Sequence, residues 1–213
     1  MFEKVKSDYK ELLTDLKAHK IPKEYPNTVI RNLGVDTFVL RSLVIREQGF
    51  ALVANNWVSR LAKWINGRKC VELMAGCGSL SYALQQNGVD IIATDNFSWE
   101  TNEAVYENWT VNKNYWLDIE NIDCIEAIEK YKDADIFIIS WAYMDDTAYR
   151  ALLKMREVNP SAFMIFIGEG RGGCTANDDF YNSIIEVDDM AIHMINAIYP
   201  RWNGIHDRLF LVV

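Results

Sequence analysis

A loop with two glycines, placed between two acidic residues, is the part of this sequence that most directly indicates chemistry. The segment that begins at position 70 reads CVELMAGCGSL, in which a strand pattern carries Glu72 and the next loop carries Gly76 and Gly78. Glycines in such a loop let a ligand lie against the backbone without meeting a Cβ atom. The next apolar run ends at Asp95, where a carboxylate can accept hydrogen bonds from both hydroxyls of a ribose. Together the two parts predict a site for a cofactor that contains a nucleoside.

This pattern is compatible with two kinds of nucleoside cofactor. A dinucleotide site has the pattern GxGxxG and binds pyrophosphate at the N-terminus of the following helix, but Ser81 occupies the third glycine position here. S-adenosylmethionine has no phosphate, and Glu72 can hold its ammonium end directly or through water. The order ELxAGxGxL therefore favours S-adenosylmethionine over NAD.

The loops after the fourth and fifth apolar runs are candidates for the substrate side, because ligands of open parallel sheets lie beyond the carboxyl ends of the strands. The first loop reads SWAYMDD and contains Ser140, Trp141 and Tyr143. The second reads GEGRGGCT, in which Glu169 can hold an amine or act as a base and Arg171 can hold a carboxylate or a phosphate. Four glycines around two charged residues favour a close approach of the backbone to a ligand.

Several of these side chains also have a purely structural interpretation. Trp141 can be an ordinary packing residue, and the glycine loop after the fifth run can be a wide turn with a solvated ion pair. Asp207 and Arg208 can close the same pocket or form a surface pair. His193 lies in an apolar run and is expected in the core.

The elements that position these loops follow from the hydrophobic pattern. Residues 2–16, 36–47 and 55–66 have helical periodicity, and from Lys69 short apolar runs alternate with helical stretches. Such alternation predicts a parallel sheet covered by helices on both faces. The last two runs have no helix between them and predict an antiparallel pair at the sheet edge. The predicted strands are 70–74, 89–94, 115–117, 136–140, 162–167, 190–198 and 209–213, and the predicted helices between them are 79–87, 99–108, 121–131 and 145–157.

Composition narrows the class of partner. Lys and Arg number 22 against 30 Asp and Glu, a net charge of -8, which argues against a duplex nucleic acid as partner. No apolar run approaches the ~18 to 20 residues of a membrane helix, and no signal-peptide pattern is present. We therefore expect a cytoplasmic protein with reduced cysteines and no membrane partner. The cysteines and histidines lack the spacing of zinc ligands, so no metal site is expected.

The motifs together resemble the class I S-adenosylmethionine-dependent methyltransferases over roughly residues 50–213. The resemblance implies a Rossmann-like α/β fold with a seven-stranded, mostly parallel sheet in the order 3-2-1-4-5-7-6, helices on both faces and a terminal antiparallel hairpin. Residues 1–49 would form an N-terminal helical extension packed on this domain. The family usually has glycine where this chain has Met74. The cofactor-binding residues implied by the resemblance are Glu72, Ala75, Gly76, Cys77, Gly78, Asp95, Asn96 and Asp118; a helix cap is the other interpretation of Asp118.

The substrate loops carry only a partial resemblance. In methyltransferases that act on amino groups, the loop after the fourth strand resembles Asp/Asn/Ser-Pro-Pro-aromatic. This chain keeps Ser140 and Tyr143 but has Trp141 and Ala142 at the proline positions. The GEGxGGCT loop resembles loops of poorly described methyltransferase-like proteins whose substrate is unknown.

The sequence therefore predicts a methyltransferase that moves a methyl group from S-adenosylmethionine to an unidentified acceptor, for which an amino group of a small molecule or a protein is one candidate. An NAD-dependent oxidoreductase and a non-catalytic binding module on the same fold are the alternatives. The residues expected at the reacting groups are Ser140, Trp141, Tyr143, Glu169 and Arg171.

Overall fold

A six-stranded sheet forms the centre of the part of the chain that the computed structural model describes, which comprises residues 2–26, 30, 34–100 and 114–213. The strands are β1 (Cys70–Leu73), β2 (Ile91–Asp95), β3 (Glu120–Asn121), β4 (Ile136–Ser140), β5 (Phe163–Gly168) and β6 (Arg208–Val212). Their order is β3-β2-β1-β4-β5-β6. All neighbours are parallel except β5 and β6, which are antiparallel. The prediction of a mostly parallel sheet is confirmed, and the last strand is antiparallel as expected, but its partner is β5 and not the run at 190–198.

Helices cover both faces of this sheet. They are α1 (Phe2–Asp8), α2 (Lys10–Lys17), α3 (Val35–Gln48), α4 (Asn55–Ile65), α5 (Ser79–Gln86), α6 (Cys124–Lys130), α7 (Thr147–Val158), α8 (Asp178–Ser183) and α9 (Met190–Asn196), with a 3-10 turn at Ser98–Glu100. Along β4, Ile136 and Ile138 pack on one face, and Phe137 and Ile139 pack on the other. Within the described ranges, no helix combines the length and the apolar character needed to cross a membrane.

The far edge of the sheet differs from the expected seven strands. The position beyond β6 holds a single bridge between Glu186 and Val212 rather than a strand. Two backbone hydrogen bonds flank it, from Val187 N to Leu211 O at 2.8 Å and from Val213 N to Ile185 O at 3.1 Å. The last strand therefore lies between β5 and this short segment, and the described residues contain six strands.

The strand predicted at 190–198 is wrong, because these residues form α9. Asp189 caps the helix by accepting hydrogen bonds from the backbone amides of the two residues that follow Met190. Ile192 and Ile195, one helical turn apart, are the buried residues of α9. His193 lies on the exposed side and pairs with an exposed aspartate, so its expected place in the core is also wrong.

The third strand and the helix before it also differ from the prediction. The segment 115–117 is not a strand; the strand is Glu120–Asn121, which pairs only with the last two residues of β2. The helix predicted at 99–108 falls mostly outside the described residues, apart from the 3-10 turn at Ser98–Glu100.

The N-terminal helices pack on the rest of the molecule. The predicted helix over 2–16 is interrupted at Tyr9 and forms α1 and α2. The C-terminal end of α3 contacts the glycine loop, since the Ser79 hydroxyl donates to the Gln48 carbonyl at 2.6 Å. The Trp116 indole donates to the Glu47 carbonyl at 2.7 Å. The helix α3 thus reaches the predicted cofactor loop, while a domain boundary at residue 49 stays a prediction.

Candidate functional site

The loop between β1 and α5 has three residues in the left-handed backbone region. Their φ angles are +54° at Met74, +58° at Gly76 and +76° at Gly78. Met74 adopts this conformation although it is not a glycine, at a conformational cost of about 1 kcal/mol. A Cβ atom at Gly76 would meet no atom of the described residues within 4 Å, whereas one at Gly78 would lie 3.1 Å from Leu117. The described residues thus leave the space above Gly76 open to a ligand.

Glu72 lies behind this loop and ties β1 to α5. It is buried, and one carboxylate oxygen accepts hydrogen bonds from the amide of Ser81 at 3.0 Å and from its hydroxyl at 2.5 Å. The other oxygen accepts no hydrogen bond from the described residues. Burial raises the pKa of Glu72 to about 7, although the hydrogen bonds from Ser81 oppose the shift.

Asp95 closes the loop from the end of β2. One carboxylate oxygen accepts from the amide of Gly76 at 2.8 Å. The other accepts from the amide of Phe97 at 2.7 Å and from the indole of Trp99 at 3.2 Å. Burial raises the pKa of Asp95. A carboxylate offers about four acceptor positions, so one is left for a ligand, and a second becomes free if Trp99 withdraws.

The remaining residues predicted to hold a cofactor surround this loop. Cys77 is buried against Gly49, and burial raises its pKa to about 11, so it is not a reactive thiol. Asn96 is exposed and accepts from the amide of Ser98 at 3.0 Å. Asp118 is exposed in a cleft of about 560 Å³ that Tyr115–Leu117 also lines. It caps no helix, because the cap of α6 is Asp123, so the helix-cap interpretation of Asp118 is wrong.

Trp141 is the centre of a cluster beyond the end of β4. Its indole donates to the carboxylate of Asp207 at 3.1 Å, and the phenyl ring of Phe50 stacks on it with 5.5 Å between the ring centroids. The hydroxyl of Tyr199 donates to the same oxygen of Asp207 at 3.0 Å. The second oxygen of Asp207 is buried and has no hydrogen-bond partner among the described residues. Burial raises the pKa of Asp207 to about 6.

The other predicted residues of this loop lie differently. Ser140 is half-buried at the end of β4, opposite Ile167 of β5. Tyr143 is 56% exposed, so the aromatic wall at this point of the site is Trp141 and not Tyr143. Asp207 and Arg208 do not form a surface pair, because Asp207 is buried and Arg208 pairs with Glu186 at 2.6 Å.

Glu169 holds the glycine loop after β5 together. One of its oxygens accepts from the amide of Cys174 at 3.0 Å and from its thiol at 2.8 Å, and the other accepts from the amide of His206 at 3.0 Å. Burial acts to raise the pKa of Glu169, but these hydrogen bonds outweigh it and the net pKa is lowered. The carboxylate is therefore ionised at neutral pH and satisfied within the protein.

Two glycines of the same loop are required by packing within the protein. A Cβ atom at Gly173 would lie 2.3 Å from the Cβ of Glu169. A Cβ atom at Gly168 would lie 2.7 Å from the hydroxyl of Thr175. At these two glycines the backbone thus lies close to other parts of the protein. The prediction that it approaches a ligand is wrong at these two positions. Arg171 is exposed and donates to the side-chain oxygen of Asn182 at 2.5 Å.

The sequence interpretation missed Arg41, which α3 brings to the Trp141 cluster. Its guanidinium lies 6.0 Å from the centroid of the Trp141 ring. The Nε–H group is buried and donates to no partner among the described residues. Burial lowers the pKa of Arg41, while the charges of Cys174, Asp207 and Glu169 act to raise it. The available signal was a charged residue inside the apolar stretch FVLRSLVI.

Several solved structures are similar to this chain. It is 13% identical to the magnesium protoporphyrin IX methyltransferase of Synechocystis PCC 6803, with 88% of each chain covered and a TM-score of 0.46. It is 15% identical to TehB of Haemophilus influenzae over 81% of this chain and 65% of that chain, with a TM-score of 0.42.

A third similar structure is a SAM-dependent methyltransferase of Archaeoglobus fulgidus, 11% identical over 75% of this chain and 94% of that chain, with a TM-score of 0.41. No protein-family model and no curated protein matches the chain. Likeness at this level carries no activity and no site residue over to this chain.

Proposed function

We propose that this protein transfers a methyl group from S-adenosylmethionine to a nitrogen of its acceptor. The observation that supports this most strongly is the left-handed loop after β1, with open space at Gly76 and with Asp95 of the neighbouring strand bonded to the Gly76 amide. The loop lies where β1 has β2 on one side and β4 on the other, the point at which ligands bind to open parallel sheets.

The residues around this loop fit the parts of an adenosyl cofactor. The remaining acceptor position of Asp95 suits a ribose hydroxyl, and the unbonded oxygen of Glu72 suits an ammonium group. The cleft with Leu117 and Asp118 suits a nucleobase, which has an apolar face and an amino group. Backbone contacts would come from Ala75 to Gly78, and Asn96 lies next to Asp95. When bound, S-adenosylmethionine supplies a methyl group activated by a sulfonium.

The dinucleotide alternative has a specific difficulty in the first turn of α5. Pyrophosphate binds to free amides at the start of a helix. Here the amide of Ser81 already donates to Glu72 at 3.0 Å, and a carboxylate at this place repels a second anion. The arrangement suits a cofactor with a cationic end better than one with a pyrophosphate.

The Trp141 cluster supports the acceptor side of the proposal. Trp141 and Phe50 form a stacked aromatic wall that can pack on a planar acceptor and exclude water. Methylation leaves an amine with one proton to lose. The carboxylate of Asp207 has an unpartnered oxygen, and its pKa of about 6 lies closer to neutrality than that of an ordinary aspartate. We assign to Ser140 a place beside the acceptor, and to Tyr143 a place at the rim.

Calorimetric titration of the cofactor-free protein tests the proposal. We expect S-adenosylmethionine and S-adenosylhomocysteine to bind and NAD not to bind. Replacement of Asp95 by alanine should weaken both adenosyl ligands by about 100-fold, because hydrogen bonds to a charged group contribute about 1.5 to 3 kcal/mol each.

The matched control is Asp90→Ala, since Asp90 is exposed immediately before the other end of β2. This variant should bind like the unchanged protein. Binding of NAD in place of the adenosyl ligands would favour an oxidoreductase. Binding of none of the three by a folded protein would favour a non-catalytic binding module.

A further inference from the structure

A second cleft opens beyond the carboxyl end of β5, next to the Trp141 cluster. Its volume is about 830 Å³, and it is lined by the glycine loop after β5 and by residues around the start of β6. Three of the lining side chains are basic, namely Arg171, His206 and Arg208. Their concentration at one cleft contrasts with the net charge of -8 of the whole chain.

The two arginines of this cleft differ in whether they form an ion pair. Arg208 is neutralised by Glu186, which it contacts through two nitrogens at 2.6 and 2.9 Å. Glu169 also lines the cleft and is ionised, but hydrogen bonds from Cys174 and from the amide of His206 engage both of its oxygens, and it forms no ion pair with Arg171. Arg171 contacts only the neutral amide of Asn182. Among the described residues it has no acidic partner, so its guanidinium is available to an anion.

Backbone amides of the same loop add to this arrangement. Gly170, Arg171 and Gly172 all line the cleft, and within the described part of the chain their amides donate to no acceptor. The backbone turns at Gly172, whose φ angle is +81°. Successive free amides around such a turn are a common environment for carboxylates and phosphates.

The wall of the cleft continues along the chain into the Trp141 cluster. The amide of His206 binds Glu169, and the next residue, Asp207, carries the carboxylate that the Trp141 indole contacts. A ligand with one group at Trp141 and Asp207 would therefore have its other end close to the basic cleft. A guanidinium binds carboxylate and phosphate through two parallel hydrogen bonds.

We infer that this cleft binds the anionic end of the methyl acceptor, a carboxylate or a phosphate, with Arg171 as its main contact. The inference rests on the proposed function, because it assigns the ligand of the cleft to the methyl transfer. It defines the acceptor as a small molecule with an amino group at one end and an anionic group at the other.

Nuclear magnetic resonance titration of the full ¹⁵N-labelled chain tests the cleft with inorganic phosphate and with succinate as probes. We expect saturable shifts of the Gly170 and Gly172 amides and of the Arg171 Nε signal. In Arg171→Gln the affinity for the anion should fall about tenfold, as expected for loss of a charge-assisted hydrogen bond. The affinity of Arg171→Lys should lie between those of the unchanged protein and Arg171→Gln. The probe that saturates first identifies the preferred group.

Arg60→Gln is the control, because Arg60 is an exposed arginine on α4 that does not line the cleft. It should leave the shifts unchanged. Absence of saturable shifts, or equal weakening in Arg60→Gln and Arg171→Gln, would overturn the inference.

The same samples are titrated with S-adenosylhomocysteine to separate the two proposals. If it binds and the anions do not, the inference fails while the proposed function stands. If the anions bind and S-adenosylhomocysteine does not, the proposed function fails and the cleft is not part of a methyl-acceptor site. Binding of both, with Arg171→Gln affecting only the anions, supports the inference.

Discussion

The two halves of the sheet, called here the cofactor side and the acceptor side, hold their buried carboxylates in different ways. On the cofactor side, formed by β1, β2 and the loops after them, Glu72 and Asp95 accept hydrogen bonds from groups at most 19 positions away in the chain. On the acceptor side, formed by β4 to β6 and their loops, Asp207 accepts from Tyr199, 8 positions away, and also from Trp141, 66 positions away. The carboxylates of the cofactor side are thus held by local contacts alone, whereas Asp207 on the acceptor side also needs a contact from a distant segment.

The glycines of the two sides also differ in what surrounds them. Gly76 has open space where a side chain would be, whereas Gly173 is in contact with its own loop. A glycine that serves a ligand should tolerate a methyl group in the free protein and lose binding, and a glycine that serves packing should lose stability. This difference can be tested directly by substitution.

The largest effect is expected for Gly173→Ala. The new Cβ would lie 2.3 Å from the Cβ of Glu169, and such overpacking costs about 3 kcal/mol. Urea unfolding followed by circular dichroism measures the loss. Gly170→Ala is the control in the same loop, because its nearest contact would be 3.9 Å away. Equal stability of the two variants would show that the loop rearranges freely.

Glu72→Gln should give a pH-dependent effect of about 2 to 3 kcal/mol. Burial raises the pKa of Glu72 from 4.5 to about 7, so the folded protein binds this proton more tightly than the unfolded chain. The stabilisation is complete below pH 4.5 and is lost as the pH rises through 7. Glutamine has no such proton and can still accept from Ser81.

The free energy of unfolding at pH 5 and at pH 8 tests this expectation. The free energy of unfolding of Glu72→Gln, relative to that of the unchanged protein, should increase from pH 5 to pH 8. The variant should bind S-adenosylhomocysteine more weakly at both pH values. A constant stability difference across the range would contradict the raised pKa.

Trp141→Phe should destabilise the protein by about 2 kcal/mol, because it removes a hydrogen bond to a buried carboxylate and keeps an aromatic ring against Phe50. Binding of S-adenosylhomocysteine should not change, since the contacts of Trp141 lie on the acceptor side. Trp64→Phe is the comparison, because its indole donates to the less buried Asp189 at 3.0 Å and its loss should cost less. A weaker cofactor complex in Trp141→Phe would show that the two sides are not independent.

The smallest effect on stability is expected for Gly76→Ala. A left-handed alanine costs about 1 kcal/mol, and no atom of the described part of the chain lies near enough to clash. Gly88→Ala has the same strain, since its φ angle is +80° and its surroundings are also open. Thermal unfolding should place the two variants together, while calorimetry should show lost cofactor binding only for Gly76→Ala. Unchanged binding by Gly76→Ala would contradict the position of the cofactor.

The local character of the cofactor side explains why its elements could be predicted from the sequence. A strand at 70–74 and a helix at 79–87 were expected, and β1 and α5 occupy Cys70–Leu73 and Ser79–Gln86. The positions of Glu72, of Gly76 and Gly78, and of Asp95 in the sequence indicate most of this geometry. The strand β3 could not be found in this way, because its two residues are too few to form a pattern.

The acceptor side could be predicted only in outline. The loops after β4 and β5 were expected to form it, but Arg41 and Phe50 come from α3 and from the connection after it, about 90 to 100 positions before Trp141. No local period connects such residues. The short run of apolar residues predicts a strand where α9 forms, and the cap at Asp189, directly before the run, is the better signal.

The most direct test is a crystal structure of the protein with S-adenosylhomocysteine. We predict that the ribose hydroxyls lie within hydrogen-bond distance of Asp95, that the nucleoside passes over Gly76, and that the sulfur points toward Trp141. A ligand bound elsewhere, or a complex in which Asp95 keeps only its contacts to Gly76, Phe97 and Trp99, would contradict the proposed cofactor site.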